Sequence, residues 1–471
     1  MDIRFGTDGW RGIIADEFTF DGVARVSQAI ASYLQPEGEG RPVIVGYDCR
    51  FLAEDFAARA AEVLAGNGFT VLLTDRPTPT PVVAFGVRHH QAAGAIMITA
   101  SHNPAVYCGL KFIPAYAGPA FRSITQAVEA RLETAGSPRL LSRTEAERRG
   151  RWQEIDLREA YFSHLRSLVR PTPARRLKII VDAMYGTGSG YADDFLAEMG
   201  FQVQLLHGER DPLFGGRSPD PIPANLGALI EAVTREGADL GLALDGDADR
   251  FGVVDASGAV WSANKVLALL LHHLIQSRNW QQGEVVRTVA TTHMLDALAQ
   301  RFGLTLTETP VGFKHVGERL LAGALFGGEE SGGLSIAGHV PEKDGILAAC
   351  LLAEMVATCG SLTTCQRILA QHIRLKENRR WDFALSPEEK ERLSQALAEY
   401  RPAEIAGLTV LERRQEDGLK LILADENWVL VRLSGTEPVV RLYVESPETG
   451  RLEPLARAVA EELGIKGMYS G

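Results

Sequence analysis

Residues 237–250 read GADLGLALDGDADR, a short apolar run that leads directly into three aspartates at alternate positions. Such a run, rich in Leu and Ala and followed by a polar loop, is typical of a strand buried in an α/β sheet. The segments AAGAIMITASHN at 92–103 and AGALFGGEESGG at 322–333 have the same pattern. Because functional loops of open α/β sheets lie at the carboxyl ends of strands, the three segments predict three α/β units with one polar loop each.

The last hundred residues have a different pattern. Four short alternating segments, LTVLER, LKLILAD, WVLVRLS and VVRLYVES, are separated by polar turns and predict an antiparallel meander. Ser386, followed by Pro and Glu389, predicts a helix that begins with a capping box. We therefore expect three related α/β/α domains with mixed sheets and a C-terminal α+β domain with an antiparallel sheet. The predicted domains are 1–150, 151–255, 256–372 and 373–471.

The composition excludes several classes of function. The 471 residues include 49 Lys and Arg against 60 Asp and Glu, and a net charge of −11 disfavours broad binding to nucleic acid or anionic membranes. The apolar run Ile346–Ala353 is far shorter than the roughly 18–20 residues of a spanning helix, and the N-terminus lacks the apolar region of a secretory signal. The five cysteines lack paired spacing, which predicts unpaired thiols. We expect a soluble cytoplasmic protein, monomeric or homodimeric.

Asp245, Asp247 and Asp249 form the first candidate site. At about 5 Å and an effective dielectric constant of about 20, each pair of carboxylates repels by on the order of 3 kcal/mol. A divalent cation would reverse this repulsion, and hard oxygen ligands favour Mg²⁺ or Mn²⁺. The alternative is a solvated acidic turn.

Ser101 in TASHNP (99–104) is the second candidate, because it follows an apolar strand and precedes a proline turn. A serine can carry a covalent phosphoryl group when a base or a metal activates it. His102 and Lys111 would balance the negative charge, and a cation on three carboxylates leaves room for a phosphate oxygen. A turn or N-cap serine is the alternative.

The loop GGEESGG (327–333) offers Glu329 and Ser331 as polar partners for sugar hydroxyls, and its glycines permit a close approach of the ligand. Downstream, Lys343 in PEKDG can serve as a general acid or base if its site lowers its pKa. A hairpin turn and a solvated lysine are the respective alternatives.

The loop RLSGTEP (432–438) combines a guanidinium, two hydroxyls and a glycine-opened run of backbone N–H groups, which suits a non-reacting phosphate. Its candidate residues are Arg432, Ser434, Gly435 and Thr436. A strand end followed by an N-cap is the alternative.

With these four loops, the sequence resembles the α-D-phosphohexomutase superfamily, which contains phosphoglucomutases and phosphomannomutases. The resemblance spans essentially the whole chain, keeps the order of the motifs, and includes FGTDGWRG at 5–12, GYDCR at 46–50 and PTPTP at 77–81. It implies four domains around a central cleft, each contributing one loop.

The resemblance also implies a role for each candidate residue. Ser101 becomes the phosphoserine, and its phosphoryl group completes an Mg²⁺ site on the three aspartates. Glu329 and Ser331 contact sugar hydroxyls, and the RLSGTEP residues anchor the distal phosphate. The charged residues around the transferring phosphoryl group are Arg11, His102, Lys111 and Arg250.

Two positions depart from the family pattern. Many bacterial phosphomannomutases and phosphoglucosamine mutases have His where this chain has Gly333, so we assign the acid–base role to Lys343, which resembles the lysine of the phosphoglucomutase branch. Cys108 replaces the more usual Asn near Lys111.

The resemblance implies a mutase that interconverts hexose 1-phosphate and hexose 6-phosphate, with glucose as the leading sugar. The reaction passes through a hexose 1,6-bisphosphate, glucose 1,6-bisphosphate is then both activator and intermediate, and small hexose phosphates are the binding partners. The alternatives are a glucose 1,6-bisphosphate synthase, a phosphomannomutase activity, and a catalytically silent sugar-phosphate sensor.

Overall fold

A computed structural model of the chain describes residues 3–6, 8–35, 38, 40–170, 176–435 and 438–467. The chain divides into two compact units. The first unit comprises Met1–Ala263 and Phe313–Cys365, and the second comprises Asn264–Gly312 and Gln366–Gly471.

The first sheet carries the serine loop. Its elements are β1 (Trp10–Ile13), α1 (Phe20–Leu34), β2 (Val43–Tyr47), α2 (Ala53–Gly66), β3 (Val71–Thr74), α3 (Thr80–His89), β4 (Gly94–Ile98), β5 (Tyr107–Pro114), α4 (Arg122–Glu129), α5 (Arg143–Arg148), β6 (Trp152–Ile155) and α6 (Arg158–Leu168). The strand order is β1-β5-β4-β2-β3-β6. Strands β4, β2, β3 and β6 are parallel, β5 is antiparallel to β4, and β1 is antiparallel to β5. The carboxyl ends of the parallel strands therefore lie at one edge, where the serine loop follows β4.

The second sheet carries the aspartate loop. Its elements are β7 (Lys178–Asp182), α7 (Ala192–Glu198), β8 (Gln202–Leu206), α8 (Gly227–Glu236), β9 (Leu240–Leu244), β10 (Phe251–Asp255) and β11 (Val260–Trp261). The order is β11-β10-β9-β7-β8. β8, β7 and β9 are parallel, β10 is antiparallel to β9, and β11 is antiparallel to β10. β9 is fully buried, as its unbroken apolar run predicts.

The third group of elements also mixes strand directions. They are α9 (Ala263–Arg278), β12 (Glu284–Thr288), α10 (Met294–Phe302), β13 (Thr305–Thr309), α11 (Phe313–Leu321), β14 (Phe326–Glu329), β15 (Gly333–Ile336), α12 (Gly345–Cys359) and α13 (Leu362–Leu369). β12 pairs with β13 in parallel, whereas β14 and β15 form an antiparallel hairpin. The glycine-rich loop forms the turn of this hairpin.

The C-terminal elements form an antiparallel sheet, as the alternating segments predict. They are β16 (Glu377–Ala384), α14 (Pro387–Glu399), β17 (Glu404–Ile405), β18 (Leu408–Arg414), β19 (Leu419–Leu423), β20 (Asn427–Leu433), β21 (Val439–Ser446) and α15 (Leu452–Glu462). The order is β16-β21-β20-β19-β18-β17, and every paired strand is antiparallel. At the start of α14, the Ser386 hydroxyl accepts from the Glu389 amide and the Glu389 carboxylate accepts from the Ser386 amide, which confirms the capping box.

The structure tests two predictions made from the sequence, one about membrane spans and one about the cysteines. Among the described residues, no single helix has the length and hydropathy of a membrane span; only the bent pair Gly345–Cys359 and Leu362–Leu369, with 78° between its helices, passes the test jointly. The expectation of unpaired thiols is wrong for Cys359 and Cys365, which form a disulfide. The turn between α12 and α13 brings these two cysteines together, six residues apart.

A buried charge network stabilises the second unit around Glu308. The Glu308 carboxylate accepts hydrogen bonds from Arg287, from Lys420 at 2.8 Å and from Arg414 at 3.2 Å. Burial raises the pKa of Glu308, but the positive charges of Arg287 and Lys420 outweigh burial and hold that pKa at about 2. Burial also lowers the pKa of Lys420 to about 8, so the lysine offsets part of what Glu308 contributes.

We expect Glu308→Gln to lower the free energy of unfolding at pH 7 by about 3 kcal/mol. It removes the negative charge that pairs with the buried Lys420 and one of the two carboxylates that pair with Arg287. The folded pKa of Glu308 lies below its usual value of 4.5. Its contribution is therefore present above about pH 4.5 and is lost as the pH falls towards 2. Urea unfolding at pH 7, 4 and 3 measures this difference.

Glu412→Gln is the matched control, since Glu412 also pairs with Arg414 but its side chain is 51% exposed. We expect that variant to stay within about 0.5 kcal/mol of wild type. A Glu308 variant that loses no more stability at pH 7 than the control would contradict the prediction.

Candidate active site

Ser101 lies in the loop between β4 and β5, so it is not the N-cap of a helix. Its backbone adopts the left-handed conformation, with φ of 52°, and its amide donates to Thr99 Oγ1 at 2.8 Å. The side chain is buried, and its Oγ donates to Asp245 Oδ2 at 2.8 Å. The fold therefore places the candidate nucleophile directly on the aspartate loop.

Asp245, Asp247 and Asp249 are fully buried, which excludes a solvated acidic turn. One carboxylate oxygen from each lies within 4.8 Å of the others. The Oδ1 atoms of Asp247 and Asp249 are buried and have no hydrogen-bond partner among the described residues. Burial raises the pKa of Asp245 well above its usual value, and the charges of its two neighbours raise it further. The three carboxylates thus fit a hard divalent cation.

Two buried lysines lie against these carboxylates. Lys111 Nζ is 2.9 Å from Oδ2 of both Asp247 and Asp249, and Lys343 Nζ is 3.0 Å from Oδ2 of Asp249. Asp8 joins the two lysines, at 2.9 Å from Lys111 and 3.2 Å from Lys343. Although burial opposes it, the two lysines hold the pKa of Asp8 well below its usual value. The result is a desolvated cluster of alternating charges.

Lys343 remains a cation in this cluster. Burial lowers its pKa, but Asp249, Asp8 and Glu342 raise it well above the usual value. The condition under which Lys343 would act as a base, a lowered pKa, is therefore not met in the structure. Burial instead raises the pKa of the adjacent Glu342 to about 8, against the opposing charge of Lys343. Lys343 therefore keeps its proton in this cluster and can donate hydrogen bonds.

His102 is the nearest imidazole to the serine, with Nδ1 3.4 Å from Ser101 Oγ. Burial lowers the pKa of His102 well below its usual value, and the positive charges of Arg250 and Arg11 lower it further. We therefore expect a neutral His102 in the unphosphorylated protein. The positive charge near the serine comes from lysine and arginine.

Arg11 contacts the serine loop, and Arg250 contacts the aspartate loop. Arg11 lies in β1, and its Nη1 donates to the side chain of Asn103 two residues after the serine. The Arg250 amide donates to Asp245 Oδ1 at 3.0 Å, and its Nε is 3.9 Å from Asp249 Oδ1. Both side chains are only partly exposed, so both can bind an anion at this end of the sheets.

The glycine-rich hairpin brings Glu329, Ser331 and Lys343 together. Ser331 Oγ donates to Glu329 Oε1 at 2.9 Å, and burial raises the pKa of Glu329. A Cβ on Gly333 would lie 3.0 Å from Glu329 Oε1 and 3.2 Å from Lys343 Cδ. Close packing therefore favours glycine at position 333, because a larger side chain would displace Glu329 or Lys343.

Arg432 ends β20 in the second unit. Its Nε donates to Asp417 Oδ2 at 2.9 Å, and the same oxygen accepts from the Val311 amide at 2.8 Å. Arg441 is paired opposite Arg432 in the antiparallel ladder with β21. Asp417 thus orients the guanidinium through Nε and leaves its two terminal nitrogens for other partners.

After Arg432 the structure describes the loop up to Gly435 and again from Pro438. Lys390 on α14 donates from Nζ to the Ser434 carbonyl at 2.7 Å, which adds a second cation to this loop. The predicted phosphate ligand Thr436 lies outside the described residues.

Several site residues were not singled out from the sequence. Asp8 and Thr80 lie in the motifs FGTDGWRG and PTPTP, which carried the family resemblance but suggested no role for either residue. In the structure, Thr80 Oγ1 donates to Asp247 Oδ2 at 2.6 Å. Glu342 adjoins the quoted lysine. Asp417 and Lys390 lie outside every quoted motif, and only their contacts reveal them.

Comparison with known proteins gives four family matches in chain order. They are the phosphoglucomutase/phosphomannomutase alpha/beta/alpha domains I, II and III, at residues 2–139, 159–258 and 262–375, and the C-terminal domain of the same family, at 387–462. The matched stretches include all four candidate loops.

Similar proteins align over nearly the full length. A probable phosphoglucosamine mutase of Methanothermobacter thermautotrophicus is 33% identical, over 97% of this chain and 96% of the relative. A phosphoglucomutase/phosphomannomutase of Thermococcus kodakarensis is 32% identical, over 99% and 98%. A crystal structure of a phosphomannomutase homologue from Thermus thermophilus is 36% identical, with a TM-score of 0.85 over 98% of this chain and 99% of the other. The chain therefore belongs to the phosphoglucomutase/phosphomannomutase family.

Proposed function

We propose that this chain interconverts hexose 1-phosphate and hexose 6-phosphate, with glucose as the preferred sugar, through a phosphorylated Ser101 and a hexose 1,6-bisphosphate. The observation that carries the proposal is the 2.8 Å contact between Ser101 Oγ and Asp245 Oδ2, inside a cluster of three buried carboxylates. A serine at such a place can hold a phosphoryl group beside a cation.

In the first transfer, the bond between Ser101 Oγ and phosphorus breaks as the free hydroxyl of the hexose phosphate bonds to phosphorus. The proton that this hydroxyl loses is balanced by the one that the leaving Ser101 Oγ takes up. Lys111, Arg11 and Arg250 stabilise charge on the phosphoryl oxygens, since their side chains surround the serine loop. An Mg²⁺ ion on the three aspartates supplies further stabilisation of that charge when bound.

After the bisphosphate turns within the site, the second transfer returns a phosphoryl group to Ser101. Lys343 lies beside Glu329, the proposed partner of the sugar hydroxyls, and it is charged. It therefore suits the half-reaction in which a sugar oxygen is the leaving group and needs a proton. We assign the distal phosphate to Arg432, Ser434, Gly435 and Thr436.

Glucose is preferred in this proposal because the GEESGG loop and Lys343 together resemble the phosphoglucomutase branch. A second candidate is phosphoglucosamine mutase activity, which the name of the 33% identical relative supports. Both reactions use the same serine and the same three aspartates, so only the sugar distinguishes them.

Phosphorus NMR of the purified protein tests the proposal. The protein is incubated with Mg²⁺, a trace of glucose 1,6-bisphosphate, and glucose, mannose or glucosamine 1-phosphate. We expect glucose 1-phosphate to be converted fastest to its 6-phosphate. Faster conversion of the glucosamine or mannose ester would overturn the glucose preference, accumulation of bisphosphate would indicate a synthase, and binding without turnover would indicate a sensor.

A further inference from the structure

Arg50 in the GYDCR motif is completely buried and uses every donor of its guanidinium. A guanidinium carries five N–H groups. Nε donates to Asp48 Oδ2 at 3.1 Å, and the two terminal nitrogens make four further hydrogen bonds. A fully buried arginine with all five donors satisfied fixes the positions of the groups that accept its hydrogen bonds.

The four remaining acceptors are three backbone carbonyls of the serine loop and that of Tyr107, the first residue of β5. The distances are 2.6 Å to Ser101, 2.7 Å to Asn103, and 2.9 Å to both Pro104 and Tyr107. One side chain from the end of β2 thus binds the loop at its start, middle and end. The Ser101 carbonyl, held in this way, belongs to the residue with the left-handed backbone.

The guanidinium is itself held in place. Asp48 is buried and accepts from both the Arg50 amide at 2.9 Å and Nε. Phe214 covers the guanidinium, with its ring centroid 4.9 Å from Cζ. Burial raises the pKa of Asp48, while Arg50 and Thr99 oppose that rise.

We propose that Arg50 is a positioning residue for phosphoryl transfer, which keeps Ser101 in its left-handed conformation with Oγ towards Asp245. This inference rests on the proposed function for its catalytic consequence. A left-handed backbone is unfavourable for serine and persists only when the surroundings impose it. Arg50 makes the carbonyl bonds that impose it, and its five donors go to Asp48 and to backbone carbonyls, not to Ser101 Oγ.

The test is Arg50→Lys. Lysine keeps the charge, but it has three donors on one nitrogen and cannot reproduce the planar fork that reaches four carbonyls. We expect kcat to fall by about 10²-fold, as for a reacting group misplaced by about 1 Å, while KM changes by less than about threefold. We also expect faster hydrogen exchange at the amides of Asn103, in the loop, and Tyr107, at the start of β5, which donate to the carbonyls of Ala100 and Pro104.

Arg287→Lys is the matched control. Arg287 is also buried, but its guanidinium donates to the side chains of Asp296 and Glu308. We expect that variant to lose stability without changing kcat more than about twofold and without changing exchange in the serine loop. Comparing the two variants separates the general effect of replacing a buried arginine from the specific effect of losing the hydrogen bonds between Arg50 and the backbone carbonyls.

If Arg50→Lys does not fold, Asp48→Asn replaces it, because the amide keeps one acceptor oxygen where the two oxygens of Asp48 accept from the Arg50 amide and Nε. For Asp48→Asn we expect smaller changes in the same direction: a lower kcat, a nearly constant KM and faster amide exchange at Asn103 and Tyr107. Unchanged kcat, a change confined to KM, or unchanged exchange would each overturn the inference. A wild-type protein that converts no hexose phosphate would defeat the proposed function instead, and the exchange measurement would still decide whether Arg50 holds the loop.

Discussion

Ser101→Ala is expected to reduce kcat for hexose phosphate interconversion by at least about 10⁴-fold, because it removes the only atom that accepts the phosphoryl group in the proposed cycle. The side chain is buried and its hydroxyl contacts Asp245, so no outside serine or water can take its place with the same geometry. Binding of hexose phosphate should change little, since the loss lies in chemistry. Steady-state rates measure kcat, titration calorimetry measures binding, and intact-mass analysis detects a phosphoryl adduct.

The matched control is Ser27→Ala. Ser27 is also fully buried, and its Oγ has no hydrogen-bond partner among the described residues, so removing it should leave both stability and turnover close to wild type. The wild-type protein should carry one phosphoryl adduct on the peptide that contains Ser101 after incubation with glucose 1,6-bisphosphate. Normal turnover by the Ser101 variant, or an adduct on another residue of an active protein, would disprove the mechanism.

Asp245→Asn is expected to remove the stabilisation that Mg²⁺ gives to the protein and to lower kcat by about 10²- to 10³-fold. A ligand present at 100 times its Kd stabilises the folded state by about 2.7 kcal/mol, and this gain should be lost. Without metal, the variant should be at least as stable as wild type at pH 7. The reason is that the folded pKa of Asp245 is raised, so its ionised form costs stability once the pH exceeds the usual range, and the neutral amide carries no such cost.

Thermal unfolding with and without Mg²⁺, each in the presence and absence of a chelator, provides the measurement. Asp182→Asn is the control, because Asp182 is also buried, ends the neighbouring strand β7, and accepts from His207 at 2.8 Å outside the triad. That variant should keep the Mg²⁺-dependent shift. An Asp245 variant with the wild-type shift would show that the carboxylate does not bind the cation.

Local sequence patterns were sufficient for the elements of the fold. The run before Asp245 predicts a buried strand, and the structure has β9 there; Ser386 and Glu389 predict a capping box, and both hydrogen bonds form. These patterns are readable because strand alternation, capping and turn formation depend on residues only a few positions apart. The four domain boundaries predicted from the same patterns stay a prediction.

The composition of the site depends on contacts that no local pattern contains. Ser101 and Asp245 are 144 positions apart, and Lys343 and Asp8 are 335 apart. The order of motifs suggested that the first pair would meet, whereas the bridging role of Asp8 between two lysines emerges only in three dimensions.

The amino-acid sequence by itself determined the alternation of strands and helices, the position of the polar loops at strand ends, and the kinds of chemical groups that those loops offer. Only the tertiary structure decided which groups meet and which are charged: Lys343 stays a cation and His102 becomes neutral. The physical reason is that a protonation state depends on burial and on every nearby charge, and these come from residues that are distant in the chain.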